Sequence, residues 1–372
     1  DSIKTRFEAL TGARWLFASM VFVYHNRKYW RDKIPGELLR FINEWHMGVS
    51  LFFILSGFLI AYQYNRAQKR PYPSYLLLRF ARIMPVYWLI LIISYIDWGW
   101  PKSIWETIRC ITLTHGYFDR YNLDGLAQAW SLNVELTFYL FAPVIFFFWN
   151  KKWWQALLLL LAMFAAVWLI GSGLNYWNSN PGRLFSPLHF LIHSTFWGRS
   201  VEFLSGIYLA SVMQGRMKNH FIQFQNCTLW GGLGLILSMY LIGWFQPDIF
   251  HHGNDHWLGW LIQTIFVPGF SLIWFYGLMT EHTWMQKWFS TKWMVLLGNA
   301  SFTFYLVHIS YVNLKFKKWF LFPDRNYVVL WLLSIFIYLL FEKPINDWVR
   351  KLVKQREPKS KSIDTSAPLQ TY

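Results

Sequence analysis

The feature that most constrains this chain is a series of long apolar runs that recur from one end to the other. Residues 157–171 read LLLLLAMFAAVWLIG, and residues 328–340 are equally apolar. A helix of about 20 apolar residues crosses a bilayer, and runs of this kind exceed what a soluble core needs. Only 15% of the 372 residues are charged, whereas soluble domains carry about 25%. The sequence therefore predicts an all-α, polytopic membrane helix bundle and excludes a soluble domain and a disordered chain.

Ten segments read as membrane helices, so we expect about ten transmembrane helices in one domain over residues 1–345. Trp and Tyr crowd the segment ends, as expected of rings at the level of the lipid headgroups. The last residues, 346–372, are basic and polar and predict a disordered cytoplasmic tail. The expected spans are 9–26, 47–64, 84–100, 131–149, 153–171, 195–213, 228–246, 258–279, 294–313 and 327–342.

The charges predict an orientation. With the N-terminus inside, 20 Lys and Arg residues fall on the cytoplasmic side of the expected spans and 13 fall outside. Because Lys and Arg accumulate in cytoplasmic loops, both termini are expected in the cytoplasm. The net charge of +16 is explained by this bias and by affinity for anionic membrane lipids, so no nucleic-acid partner is expected.

Several kinds of chemistry find no support in the sequence. Cys110 and Cys227 are too few for a disulfide framework and have no zinc-type spacing. No P-loop, GxGxxG, HExxH or GxSxG motif is present, which argues against ATP hydrolysis, nicotinamide chemistry and zinc proteolysis. We therefore expect no bound metal.

Two ionisable residues lie in the first expected span. Arg14 and His25 are eleven residues apart, which is about three helical turns and about 16 Å, so they share one face. Ionisable groups inside a bilayer are costly and are usually functional or paired. A snorkelling arginine and an interfacial histidine would also account for them.

Further polar residues are expected at the external level of His25. The fourth span enters from outside with Trp130, Ser131 and Glu135, and the ninth reaches the outside near His308. The sequence thus predicts that His25, His308 and Glu135 meet at one depth. Two imidazoles and a carboxylate that orients one of them are suited to moving a proton.

On the cytoplasmic side, Arg79 and Arg82 are spaced i, i+3 in RFARIMPVYW. On an interfacial helix they would share a face. Guanidinium groups bind phosphate through paired hydrogen bonds, so this pair suits a phosphorylated ligand. The alternative is that both residues anchor the chain to anionic lipid.

Six strings together resemble acyltransferase family 3, the integral-membrane O-acyltransferases that modify cell-envelope sugars. The resemblance covers nearly all of residues 6–345. It rests on the order of the strings as well as on each one: Arg14 followed by His25, GVSLFFILSGFLIA (48–61), RFARIMPVYW (79–88), WSLNVELTFYLFAP (130–143), GNASFTFYLVH (298–308) and FEKP (341–344).

The resemblance implies an enzyme, an O-acyltransferase of the cytoplasmic (inner) membrane. It would move an acyl group, commonly acetyl, from cytoplasmic acyl-CoA to a hydroxyl of an extracytoplasmic carbohydrate. Carried over by position, His25 becomes the catalytic base, with Arg14 and Glu135 beside it in the catalytic set.

The donor and acceptor sites follow in the same way. Arg79 and Arg82, with Arg14, would bind the acyl-CoA. Trp130, Ser131 and His308 are expected to bind the acceptor. The acceptor's identity, and the choice between direct transfer and an acyl-histidine intermediate, stay open.

A second function fits part of the pattern. His25, Glu135 and His308 would also serve as a proton relay in a transporter or flippase of a lipid-linked sugar. This alternative explains the polar groups in the membrane. It leaves the spacing of Arg79 and Arg82 and the shared face of Arg14 and His25 without a role other than lipid anchoring.

Overall fold

The chain folds into a bundle of long helices. The structure is a computed structural model that describes residues 3–66, 71–248, 251–310 and 323–356. Within these ranges the regular elements are helical, apart from an isolated bridge between Phe118 and Leu184. The long helices are α1 Ile3–His25, α2 Gly48–Arg66, α3 Tyr72–Trp98, α4 Trp130–Lys151, α5 Trp153–Tyr176, α6 Phe196–Met213, α7 Cys227–Trp244, α8 Trp257–Thr280, α9 Lys292–Val307 and α10, which consists of Pro323–Ile337, Tyr338–Glu342 and Lys343–Arg356.

The predicted fold class, an all-helical membrane bundle, is confirmed, but the count of about ten spans is not. Among the described residues, seven helical stretches are long and apolar enough to cross a bilayer, and these contain α2, α3, α4, α5, α7, α8 and α10. Helices α1, α6 and α9 do not reach that length and composition. Each of them carries polar or ionisable side chains, among them Arg14, Arg199 and Ser301.

Burial explains how polar helices are accommodated. Helix α1 packs against α2, α8 and α9, and α6 packs against α2, α4, α5 and α8. Most side chains of α6 and α9 are buried, whereas only 11% of the most apolar stretch of α5 is buried. Polar groups are tolerated at membrane depth where protein surrounds them. The bundle thus has polar inner helices and an apolar outer layer.

Glycines set the spacing of the inner helices. A Cβ atom on Gly206 of α6 would lie 2.0 Å from the Ile54 carbonyl oxygen of α2, and one on Gly57 would lie 2.3 Å from the Phe203 carbonyl oxygen of α6. A Cβ on Gly298 of α9 would lie 1.8 Å from a backbone oxygen of α1. Small residues at such crossings allow backbones to touch, as is common between membrane helices.

Two element boundaries differ from the sequence-based expectation. Helix α3 begins at Tyr72 and continues through Pro85, so Arg79 and Arg82 belong to the same helix as the third span. Helix α10 continues to Arg356, so the first part of the expected tail, up to that residue, is helical. Its amphipathic sequence, KPINDWVRKLVKQR, pairs apolar residues with solvent-facing basic ones. Residues 357–372 of the expected tail lie outside the described residues.

Candidate active site

The first half of the candidate site contains an ion pair between two helices that are far apart in sequence. Nη1 of Arg82 on α3 donates to Oε1 of Glu342 on α10 at 2.5 Å, and the Thr303 hydroxyl of α9 donates to Oε2 at 2.7 Å. Glu342 is almost completely buried and ends the π-helical segment Tyr338–Glu342. Such segments occur frequently at functional sites. The pair ties α3, α9 and α10 together.

Two more arginines lie near this pair. Arg14 interacts electrostatically with Arg82, Glu342 and Glu135. One Nη of Arg79 donates to Oε1 of Gln63 at 2.9 Å. The Nε of Arg79 is buried and makes no hydrogen bond to any described residue. Arg79 thus has a buried N–H donor that no described residue satisfies.

Glu135 belongs to the same group of charges. Its Oε1 accepts a hydrogen bond from the Ser56 hydroxyl at 2.8 Å and one from the Tyr139 hydroxyl. The ring of Tyr139 lies 5.9 Å from the Arg79 guanidinium carbon. We call Arg14, Arg79, Arg82, Glu135 and Glu342 the arginine cluster. Its three guanidiniums face two carboxylates, so the formal excess of one positive charge favours an anionic ligand.

Two imidazoles form the second half of the site. His25 ends α1, and its ring centroid lies 5.2 Å from that of His308, which follows the last residue of α9. Nδ1 of His308 lies 2.5 Å from the Tyr305 carbonyl oxygen. His308 is buried, whereas His25 is partly exposed. We call these two residues the histidine pair.

Glu135 does not join the histidine pair, contrary to the expectation from the sequence. Ser131, one helical turn earlier on α4, is the residue at that level: its hydroxyl lies 2.7 Å from the Tyr305 hydroxyl. Glu135 lies about 6 Å further along the helix axis, and it contacts Ser56 and Tyr139 instead. The sequence placed residues 131 and 135 at one depth because it could not resolve a single turn.

A line of rings connects the two halves. The Arg14 guanidinium lies 5.9 Å from the Phe52 ring, and the Phe52 ring lies 6.3 Å from that of Tyr305. The Tyr305 ring is 5.3 Å from His308, which is next to His25. The arginine cluster, beside Arg14 in the middle of α1, is therefore joined by continuous side-chain contacts to the histidine pair at the C-terminal end of that helix.

Trp130, another of the expected site residues, lies at the start of α4 near a second buried ion pair. The Trp130 ring contacts Phe53 edge-on at 6.5 Å. Nearby, Arg199 makes a buried, two-pronged ion pair with Glu202 and also donates to the Ser50 hydroxyl at 2.8 Å. These bonds fix α6 to α2 and leave both charges partnered, as buried charges require.

A histidine near this ion pair, His193, has a pKa lowered by its surroundings. Burial, followed by the neighbouring His189 and Arg199, lowers the pKa of His193 to about 4. At neutral pH the ring of His193 therefore adds no positive charge beside Arg199.

Sequence reasoning missed two members of the site. FEKP was recognised as a string, but Glu342 was given no role, and Tyr305 was not singled out at all. A carboxylate that interrupts the apolar run 327–342 was a usable signal, since such residues are rare in spans and are usually partnered. No comparable signal marked Tyr305, because a tyrosine is unexceptional in an apolar helix.

Comparison with known proteins identifies the sequence pattern. The family model described as an acyltransferase domain, that of acyltransferase family 3, matches residues 7–341. This range includes the residues of the arginine cluster except Glu342, together with both histidines.

Individual relatives are distant in sequence. "Acyltransferase MdmB" of Streptomyces mycarofaciens is 28% identical over 152 residues, which cover 37% of this chain and 39% of the relative. A protein of Staphylococcus aureus (strain COL), provisionally named an O-acetyltransferase, is 21% identical over 331 residues, covering 82% of this chain and 50% of the relative. "Peptidoglycan O-acetyltransferase OatA" of Listeria monocytogenes serovar 1/2a is 23% identical over 337 residues, covering 82% and 49%.

The similarity covers only part of the length of each relative. The matched region spans half or less of the length of each of these relatives. No solved structure matches the chain significantly.

Proposed function

Because the chain belongs to acyltransferase family 3, we propose that it is a membrane O-acetyltransferase that uses acyl-CoA as its donor. The acceptor would be a hydroxyl of a carbohydrate on the far side of the cytoplasmic membrane, and both termini would lie in the cytoplasm. The observation that carries this proposal is that the arginine cluster lies beside Arg14 in the middle of α1, whereas the histidine pair lies at the C-terminal end of the same helix, about 16 Å further along its axis. Two separate substrates on opposite membrane faces require such a division.

The arginine cluster suits the donor. Acyl-CoA carries phosphates, and guanidinium groups bind phosphate oxygens with paired, charge-assisted hydrogen bonds. Arg79 supplies unused donor capacity, whereas Arg82 is held by Glu342. We therefore assign phosphate binding mainly to Arg79 and the shaping of the site to Arg82. Glu342, late in the apolar part of α10, interacts electrostatically with Arg14 in the middle of α1, so the cluster would bind the donor's phosphates inside the bundle from the cytoplasmic face.

The distance between the halves suits the donor's arm. Arg14 and His25 are eleven positions apart on the helix, a rise of about 16 Å. An extended pantetheine arm is about that long. The line of Phe52 and Tyr305 offers apolar surface along the same course, so a thioester could reach the histidine pair while the phosphates stay at the arginine cluster.

The proposed chemistry takes place at His25. Its imidazole accepts the hydroxyl proton as the carbohydrate oxygen attacks the thioester carbonyl carbon. The carbon–sulfur bond then breaks, and the sulfur leaves with the proton returned by His25, giving an ester and free CoA thiol. Imidazole is suited to this because it exchanges protons near neutral pH. Initial attack by His25 itself, giving an acyl-histidine, is the other route that the same geometry allows.

The second histidine and its neighbours are assigned to the acceptor. His308 lies against His25, and Ser131 bonds Tyr305 in the next layer. These groups, with Trp130 at the start of α4, would line the approach of a sugar. An acetyl group is proposed because two relatives carry O-acetyltransferase in their names.

The experiment that tests this function uses purified protein in liposomes with radiolabelled acetyl-CoA on one side. Soluble peptidoglycan fragments, chosen from the name of one relative, are supplied on the other. We expect release of CoA thiol and labelled ester, both lost in His25→Ala and kept in His220→Ala, an exposed histidine. Transport of fragments without thioester consumption would overturn the proposal and favour the transporter alternative.

A further inference from the structure

Three side chains with metal-ligand chemistry converge at the end of the bundle that carries the histidine pair. Glu44 and His46 belong to the short 3-10 helix Glu44–Met47, and His252 lies in the loop before α8. One potential ligand atom from each lies within 4.8 Å of the others. The rings of His46 and His252 are 4.4 Å apart between centroids. The residues come from two segments about 200 positions apart in sequence.

Glu44 is a buried carboxylate with half of its bonding capacity unused. Its Oε1 accepts hydrogen bonds from the Gln246 amide at 2.5 Å and from the Gly253 backbone N–H at 2.8 Å. Its Oε2 is buried and makes no hydrogen bond to any described residue. Glu44 is fully buried, and its nearest cation-forming partner among the described residues is the ring of His46, at 3.7 Å. A buried carboxylate requires a compensating positive charge.

The two imidazoles are held as metal-binding histidines usually are. Nδ1 of His46 lies 3.1 Å from the Asn43 carbonyl oxygen, which leaves Nε2 of that ring buried and without a hydrogen bond to any described residue. Nε2 of His252 lies 3.1 Å from the Tyr24 hydroxyl. This leaves Nδ1 of the same ring as its potential metal ligand. A metal-bound histidine typically uses its second nitrogen for such a fixing hydrogen bond.

We propose that Glu44, His46 and His252 bind a divalent transition-metal ion, with Zn²⁺ as the best-suited candidate. Two imidazoles and one carboxylate form a ligand set that zinc accepts, with a fourth position left for water or another ligand. The ion would supply the positive charge that the buried carboxylate lacks. This proposal departs from the expectation of a metal-free protein, since no local motif joins these three residues.

The ion would connect the segment that precedes α2 to the loop that precedes α8. Glu44 and His46 precede α2, and His252 precedes α8, so a shared ion clamps these segments together. Tyr24 links the clamp to the histidine pair: its hydroxyl contacts His252, and its ring lies 4.6 Å from that of His25. The proposed ion is thus a structural clamp at the rim of the candidate active site, and it does not depend on the proposed reaction.

A neighbouring group of similar composition provides an internal comparison. His189, His193 and Asp255 also place potential ligand atoms close together. The side chains of His189 and Asp255 are 63% and 38% exposed, and Asp255 already accepts from the His252 backbone N–H. Solvent can hydrogen-bond to the exposed side chains of His189 and Asp255, so this group does not require a cation as the buried Glu44 does.

The test measures metal content and stability, not activity. The protein is purified through a tag without histidines, stripped with a chelator, and equilibrated with Zn²⁺. We expect about one zinc per chain by elemental analysis and a higher apparent Tm with zinc than without. Glu44→Gln, His46→Ala and His252→Ala should each weaken zinc binding at least tenfold, whereas His251→Ala and His189→Ala should not.

Three outcomes of these measurements would overturn the proposal. The first is that wild-type protein binds no zinc. The second is that binding survives both His46→Ala and His252→Ala, and the third is that binding is lost in His189→Ala. X-ray absorption of the zinc-loaded wild type gives a check that needs no variant. It should show nitrogen and oxygen ligands at about 2.0–2.2 Å, and a shell of oxygen atoms alone would contradict the site.

Discussion

The imidazole rings of His25 and His308 lie 5.2 Å apart, centroid to centroid, although they belong to the first and ninth long helices. His308 is buried and is held through the Tyr305 carbonyl oxygen, whereas His25 is partly exposed at the end of α1. The two rings are therefore suited to different tasks. The more accessible one can exchange protons with a substrate, and the buried one can position what binds there.

This difference leads to a prediction about the two histidines. His25→Ala should reduce acyl transfer by about 10²–10⁴-fold, the usual loss when a general base is removed. His308→Ala should reduce it less. Transfer is measured in liposomes with membrane levels of each variant determined in parallel, and His220→Ala is the control. If His25→Ala keeps activity that His308→Ala loses, the base is on the other ring.

Donor binding should depend on Arg79. Charge-assisted contacts to phosphate contribute about 1.5–3 kcal/mol each, so Arg79→Ala should weaken CoA affinity roughly 10- to 100-fold. Arg79→Lys should restore only part of it, because the planar fork is lost. Affinity is measured by titration of the purified protein with CoA, and Lys152→Ala serves as a control for general charge loss. Unchanged affinity in Arg79→Ala would return this residue to the role of a lipid anchor.

The Arg82–Glu342 pair should matter for stability. Removing one partner of a buried ion pair costs about 3–5 kcal/mol, so Glu342→Gln should lower the apparent Tm strongly. The double variant Arg82→Gln/Glu342→Gln should be less destabilised than the sum of the two single variants. Thermal unfolding in detergent measures both. The exposed pair Arg183–Asp119 is a matched control, and Asp119→Asn should change stability by only about 0–1 kcal/mol. Strict additivity at residues 82 and 342 would show that the two side chains act independently.

Acid should destabilise the fold through His115. This ring is fully buried, and burial lowers its pKa from 6.5 to about 4. Above pH 6.5 the ring is neutral in both states. Between pH 6.5 and pH 4 the unfolded chain binds a proton that the folded chain does not, so the free energy of unfolding falls as pH falls.

The size of this effect can be measured by difference. From pH 7 to pH 5 the contribution of His115 should fall by about 2 kcal/mol. Thermal unfolding of wild type and His115→Gln across this range should show a shallower pH dependence in the variant. His220→Gln should keep the wild-type dependence. Parallel curves for wild type and His115→Gln would refute the assignment.

The membrane orientation is open to direct measurement. A reporter fused after Tyr372 should report a cytoplasmic location, and one inserted beside His251 an external location, because Lys and Arg favour the cytoplasmic side. A reporter in the exposed segment around His220, between α6 and α7, should again be cytoplasmic. Reversed signals would place the arginine cluster outside and remove it from cytoplasmic CoA.

The sequence was sufficient to predict which segments form membrane helices, but it was insufficient to predict which helices lie side by side. Apolar runs predicted helices such as α5 because a bilayer leaves the backbone few alternatives. The shared face of Arg14 and His25 followed from helix geometry within one segment. By contrast, Arg82 and Glu342 are 260 residues apart, and no periodicity indicates which helices touch. Glu44, His46 and His252 were missed for the same reason.

The number of spans is not confirmed, and the depth assigned to Glu135 was wrong, for a different reason. Residues 195–213 were expected to be a span, but α6 faces mostly protein and is not among the helices that are long and apolar enough to face lipid. The sequence analysis assigned one depth to the whole start of the fourth span. In the structure, Ser131 and Glu135 are one helical turn apart and have different partners. Both limits arise because packing decides these features, and packing is a property of several segments at once.

The backbone contacts at Gly57, Gly206 and Gly298 bear on how sequences of this kind can diverge. On the outer surface of α5 one large apolar residue can replace another, because lipid adapts to either shape. At the three glycines the gentlest substitution available, a single methyl group, would overlap a carbonyl oxygen on the adjacent helix. Mutational tolerance in this protein is therefore set by what lies opposite a residue and not by how much its chemistry changes. A lineage can exchange most of its membrane-facing surface while the spacing of α2 against α6 and of α1 against α9 stays fixed.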